Sequence, residues 1–459
     1  MELSADTLKF VVVGGGIAGL TSAYLLKQSG HEVVILEKSS CLEQMTHGGI
    51  KIPPNMTRLM HELPGAEELL NTKATKCEGI SFLQTNGDDP AELVGKLVYV
   101  DEIMSDLGAD FYLISHKDLH NYLLNLCHNA AVEFRYNFEV EDVITNKLGP
   151  TVVGKSGETV IGDIVIGADG KNSVIRKVLL DEEDEAEESD SRDSLISVPI
   201  SLVQSDPELV SFLAQDTYGR VFLGNGTNIF VAEYGPDLCQ VELTYGTPPE
   251  FDAKDDDWLS CGTTTKSVLE HVEEYDPRIK KLIQLVPMAH WNVQGIYNLP
   301  QYVSKLDQVV VIGDAAHAIY INGTHNTAAA FEDAFTLGRL FAQSTPSDSK
   351  SHASLLLNGY QQIRHKRTKA LEKSGMNTMI LMGLVPGPER SRRNQGFRLT
   401  LDLDGADDAT VERIWSEYIE QFHYEPRDEV SEWWMNWARP AGNRASSLLF
   451  GVAMSTVSH

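Results

Sequence analysis

Three patterns of apolar and polar positions follow one another along the chain, and the first is an uninterrupted apolar run. FVVV at residues 10–13 gives way to GGGIAG, then to a mixed stretch with helical spacing, then to EVVILE at 32–37. Continuous apolar runs of this length suit parallel strands buried on both faces. The stretch from Lys9 to Lys38 therefore predicts strand, tight turn, helix and strand. Similar runs lead into GADG at 167–170 and GDAA at 313–316, each closing on glycine and aspartate. From about 195 to 300 the pattern alternates instead, as in RVFLGNGTNIFVAEYG and CQVELTYG, which predicts antiparallel strands. After residue 353 three- and four-residue steps take over, with Leu356, Tyr360, Ile363 and Arg367 forming a helical stripe.

The turn after the first strand carries chemistry. Gly14, Gly16 and Gly19 spell GxGxxG. The first glycine permits the tight turn, the second lets a pyrophosphate approach the backbone, and the third lets helix pack on strand. Amides at the helix start then face the phosphates. Glu37 closes the second strand 18 residues after Gly19, where a carboxylate accepts hydrogen bonds from a ribose diol. Together these features predict dinucleotide binding. Asp314 stands where a buried strand ends, so its carboxylate must be solvated or partnered, and a cofactor hydroxyl is a suitable partner.

Charge and cysteine usage narrow the partners. With 459 residues and a formal net charge of -28, the chain repels nucleic acid and anionic membrane surfaces. Five dispersed cysteines without a CxxC pair point to reduced thiols and a cytoplasmic setting. No run of roughly 18 apolar residues is present to span a bilayer, and MELSADTLKF lacks the pattern of a signal peptide. LLFGVAM near the C-terminus is expected to pack in a core, and the acidic run DEEDEAEESDSRDS at 181–194 to form a solvated loop. There is no internal repeat, metal motif or second GxGxxG.

In their order and spacing, the GxGxxG turn, GADGKNSVIR and GDAAH resemble the single-component FAD-dependent aromatic hydroxylases, particularly the fungal salicylate-hydroxylase-like members. The resemblance implies an α/β fold: a Rossmann-like FAD-binding domain from 1–185 and 300–345, an inserted antiparallel-sheet substrate domain at 190–300, and a helical region at 346–459. It also implies a hydroxylase that uses NADH or NADPH and O2, and acts through a flavin hydroperoxide on a phenolic or hydroxybenzoate-like substrate, with or without decarboxylation. Epoxidation, dearomatisation, a reductase on the same scaffold and a non-catalytic FAD protein stay open, as do monomer and homodimer.

The residues the resemblance assigns to FAD are Gly14, Gly16, Ala18, Gly19, Glu37 and Lys38 around the first turn, with Gly49 and Ile50 of HGGIKIPPN along the flavin. Further along they are His116, Val140, Asp169, Gly170 and Asp314. Two positions depart from the family. His116 stands where an arginine is usual, and GTHNT replaces the usual Gly-Gln-Gly loop, putting Thr324, His325, Asn326 and Thr327 there. Either that loop needs only its backbone, or His325 or Asn326 touches flavin or substrate. Arg220, Tyr234, His290 and His325 are the catalytic candidates, with Phe222 and Trp291 as further pocket candidates. Each has a plain alternative: core aromatics for Tyr234 and Trp291, a surface charge for Arg220.

Overall fold

The computed structural model describes residues 7–42, 48–87, 89–147, 149–180, 189–215, 217–245, 262–296, 299–320, 323–342, 346–401, 415–416 and 418–438. The apolar runs become the centre of the molecule. β1 (Lys9–Val13), α1 (Ile17–Gln28) and β2 (Glu32–Leu36) form the opening unit, and β3 (Gly49–Ile52) follows. β4 (Ile164–Gly167) and β5 (Val309–Val311) return beside β1, giving a parallel sheet ordered β5-β4-β1-β2 and then the short strand Glu133–Arg135. Phe10, Val11 and Val12 are fully buried, as strands covered on both faces require.

An eight-stranded sheet supplies the second layer. Its order runs Gly262–Thr264, Met288–Ile296, Ser189–Pro199, Leu238–Tyr245, Thr227–Glu233, Gly219–Leu223, Gly79–Asn86, Asp89–Val98. Every pairing is antiparallel except Gly219–Leu223 with Gly79–Asn86. Two strands thus come from within the 1–185 span. Residues 189–194, expected in a solvated loop, open the strand Ser189–Pro199. That strand bonds to neighbours on both sides, so sheet pairing outweighs the local charge. Residues 181–188, the LLFGVAM tail and the Trp291 side chain lie outside the described residues.

α2 (Asn326–Ala342) packs against α1, and α3 (Pro346–Met382) runs beside α2. Among the described residues no helix is long and apolar enough to cross a membrane. Where α2 and α3 meet, a buried charge network ties the layers together. Arg364 of α3, 0% exposed, donates to Asp333 Oδ1 at 2.7 Å and Glu332 Oε2 at 2.8 Å. Asp333 Oδ2 accepts from the Gly313 amide at 2.9 Å and His317 Nε2 at 2.7 Å, and Glu332 Oε1 accepts from Asn55 at 2.8 Å. Burial alone would raise the Asp333 carboxyl, but His317 and Arg364 outweigh it and hold the group below its ordinary value. Replacement Arg364→Met leaves two buried carboxylates short of their shared cation and should cost about 3–5 kcal/mol. Urea unfolding checks this, and a change below about 1 kcal/mol would remove the network from the stability of the fold.

Candidate active site

The carboxyl ends of β1, β4 and β5 open into a cleft of about 580 Å3. Gly14 shapes its floor: φ is +104°, and a Cβ there would sit 2.4 Å from the Ala168 carbonyl oxygen. Gly16 is different, since a Cβ on it would meet nothing within 4 Å and would project into open space. That open space is the cradle a pyrophosphate needs. Gly19 lines no part of the cleft and instead lets α1 close against Gly14.

Around this cradle the side chains are held in place. Glu37 accepts from the Gly15 amide at 2.8 Å and the Ser39 amide at 2.9 Å, so the carboxylate is fixed at the end of β2. His120 donates from Nε2 to the Gly15 carbonyl at 2.8 Å, and burial keeps its imidazole below the ordinary histidine value and therefore neutral. His120 was missed by sequence reasoning, although it lies one helical turn from His116, whose ring stacks on it at 5.9 Å. Ala18, Lys38, Gly49, Ile50, His116 and Val140 line the cleft.

The two aspartates behave differently. Asp169 accepts from Ser173 Oγ at 2.5 Å and the Val174 amide at 2.7 Å, so it caps the short helix after β4. Arg176 staples that helix to the next motif through the Ala315 carbonyl at 3.4 Å. Asp314 lines the cleft with its side chain exposed there, and desolvation by the protein packed around it raises its carboxyl above the ordinary value. Asn326 Nδ2 reaches Asp314 Oδ1 at 3.2 Å, so the substituted loop is tied to the strand-end carboxylate. Gly170, Asn326 and Thr327 also line the cleft, the last two at the start of α2.

A second cavity of about 250 Å3 adjoins the cleft, and Lys51, Glu242, Gly323 and Thr324 line both. Its body is aromatic and apolar, with Tyr99, Phe111, Phe230 and Phe422, while Tyr320 and Thr244 share a hydrogen bond of 2.7 Å on its polar side. His325 lines this cavity and not the cleft. Burial, with Arg367 nearby, lowers its imidazole to about 3, so it is neutral.

Of the other catalytic candidates, His290 lines the first cleft, whereas Arg220 and Tyr234 line neither cavity. Arg220 is buried, donating to the Tyr218 and Leu213 carbonyls and covering the Phe212 ring. Tyr234 lies behind Gly49, where a Cβ would stand 2.2 Å from its ring, and it donates to Glu242 at 2.5 Å. Phe222 is a fully buried core residue. Sequence reasoning missed Lys51 and Glu242, which meet at 2.6 Å across 191 residues of chain.

Behind that pair, burial and then the Glu242 charge push the Asp193 carboxyl up to about 8.

A glycine-cradled cleft at the ends of parallel strands, joined to an aromatic cavity beneath an antiparallel sheet, defines a flavin-dependent oxidoreductase, and the residues present fit FAD. The chain belongs to the FAD binding domain family, whose profile matches residues 7–374. Its relatives are FAD-dependent monooxygenases and hydroxylases. It is 25% identical over 401 residues to the FAD-dependent monooxygenase OpS4 of Beauveria bassiana, covering 85% of this chain and 89% of that one. It is 24% identical over 400 residues to a 3-hydroxybenzoate 6-hydroxylase of Klebsiella oxytoca, covering 85% and 92%. The fold matches a salicylate hydroxylase solved with substrate, with TM-score 0.70 and 21% identity over 93% of this chain and 98% of the other.

Two outcomes test the site. Asp314→Ala removes a carboxyl acceptor from the cleft and the Asn326 anchor, so FAD affinity should fall roughly ten- to a hundredfold, read from flavin retained per protein. Undiminished occupancy would show that Asp314 does not hold the cofactor. The second concerns Asp193, which is protonated in the folded chain up to about pH 8 and ionised well below that when unfolded. Its contribution to stability is therefore present below the ordinary carboxyl range and lost as pH rises towards about 8. Asp193→Asn should flatten the decline of Tm over that window, and a decline as steep as wild type would contradict the assignment.

Proposed function

We propose that the protein uses NADH or NADPH and O2 to hydroxylate a phenolic or hydroxybenzoate-like aromatic bound in the second cavity. The observation that carries the reading is the adjacency of that aromatic-lined cavity to the cofactor cleft through one shared wall. The hydroxybenzoate hydroxylase among its relatives supports a hydroxylated aromatic ring as the substrate. When bound, FAD supplies hydride acceptance and oxygen activation.

The chain's own residues do the rest. Gly14, Gly16 and Glu37 would hold the ADP half, and Asp314 with the start of α2 would hold the flavin half. Tyr99, Phe111, Phe230 and Phe422 exclude water from the substrate ring and stack against it. Burial raises the Tyr320 hydroxyl well above its ordinary value, so it stays protonated and donates a hydrogen bond to a substrate oxygen instead of acting as base. Thr324 and His325, on the substituted loop, also line the cavity.

The purified protein should show a flavin spectrum, and a panel of phenols should stimulate NADH or NADPH oxidation at least several-fold, dependent on O2, with hydroxylated product formed. Bound flavin with no stimulation by any aromatic, or turnover indifferent to oxygen, would overturn this function.

A further inference from the structure

The wall shared by the two cavities carries a charge arrangement that bears on which aromatics enter. Lys51 donates from Nζ to Glu242 Oε2 at 2.6 Å, with the two side chains 10% and 4% exposed. The ammonium also lies 4.3 Å from the centroid of the Phe230 ring. Tyr234 donates to the other carboxylate oxygen, Glu242 Oε1, at 2.5 Å. Among the described residues lining the second cavity, Lys51 is the one lysine or arginine and Glu242 the one carboxylate, while His325 is neutral.

We propose that the Lys51–Glu242 pair is a charge filter that narrows the two substrate types to the phenolic one, admitting uncharged hydroxylated aromatics to the second cavity and rejecting aromatic carboxylates such as hydroxybenzoates. The inference rests on reading that cavity as the substrate site. A carboxylate taken out of water needs a cation not already neutralised, because burying an uncompensated charge is costly. Here the lysine is matched by Glu242, so an incoming carboxylate would meet an ion pair and the negative charge of Glu242 at close range. Hydroxyl groups find suitable neighbours instead in Tyr320, Thr244, Asn228 and Thr324. A cavity of roughly 150 Å3 holds benzene, so about 250 Å3 leaves room for a ring with substituents.

A matched pair of ligands isolates the charge: 3-hydroxybenzamide and 3-hydroxybenzoate have nearly the same shape, and only the second is an anion near neutral pH. Their Kd values are read from perturbation of the flavin spectrum of the FAD-loaded protein. The amide should bind at least about tenfold more tightly. Glu242→Gln keeps an acceptor for Tyr234 but frees the Lys51 charge, and it should reverse the preference. The double variant Lys51→Met with Glu242→Gln makes the wall neutral and should erase the effect of Lys51 and Glu242 on the ratio; it also serves if the single variant does not retain FAD. A wild-type protein that binds the carboxylate as tightly as the amide, or a ratio unmoved by both variants, overturns the filter. Carboxylate preference with coupled hydroxylation overturns the filter alone, whereas FAD-loaded protein that binds neither ligand nor any other phenol overturns the proposed function with it.

Discussion

The buried meeting of Arg364 with Glu332 and Asp333 is the interaction on which the site depends. Asp333 holds the Gly313 amide and His317, and so fixes the turn that carries Asp314. Glu332 reaches Asn55 just after β3, the strand that carries Gly49 and Lys51. One arginine on α3 thereby sets the position of both sides of the cofactor cleft. Such pairs add little net stability over an apolar core of the same shape, but removing one member is severe. Arg367 adds a second contact to Glu332 at 3.1 Å and lies beside His325 in charge terms, so the same network reaches the second cavity.

Much of the cofactor cleft was legible from sequence because its signals are local. The GxGxxG turn, Glu37 at the end of β2 and Asp314 at the end of β5 are each fixed by a few neighbouring residues and by where apolar runs stop. The substrate side was not, because its contacts join distant segments. Lys51 and Glu242 lie on different sheets, and nothing near either residue announces the other. Tyr234 and Arg220 carried the right residue types for a pocket, yet alternation along a strand does not say which face looks onto ligand and which onto core. Strand pairing likewise claimed residues 189–194 despite their acidic composition.

The two departures from the family pattern acquire physical content in the structure. Asn326 replaces a glycine of the usual loop and bonds both Asp314 and the Ile319 carbonyl, at 3.2 and 3.3 Å, so the substituted loop is held by side chain as well as backbone. His116 contributes a ring to the cleft and stacks with His120, which in turn fixes the Gly15 carbonyl. Histidine offers one or two donors where arginine offers a fork.

The central claim is that the two cavities are the cofactor and substrate sites of one reaction and meet at Lys51 and Glu242. A crystal structure of the protein with FAD and a bound neutral phenol tests it most directly. The account requires the ribityl chain beside Asp314 and the phenol ring among Tyr99, Phe111, Phe230 and Phe422, with the flavin ring reaching the shared wall. A phenol bound elsewhere, or a flavin ring turned away from that wall, would contradict it.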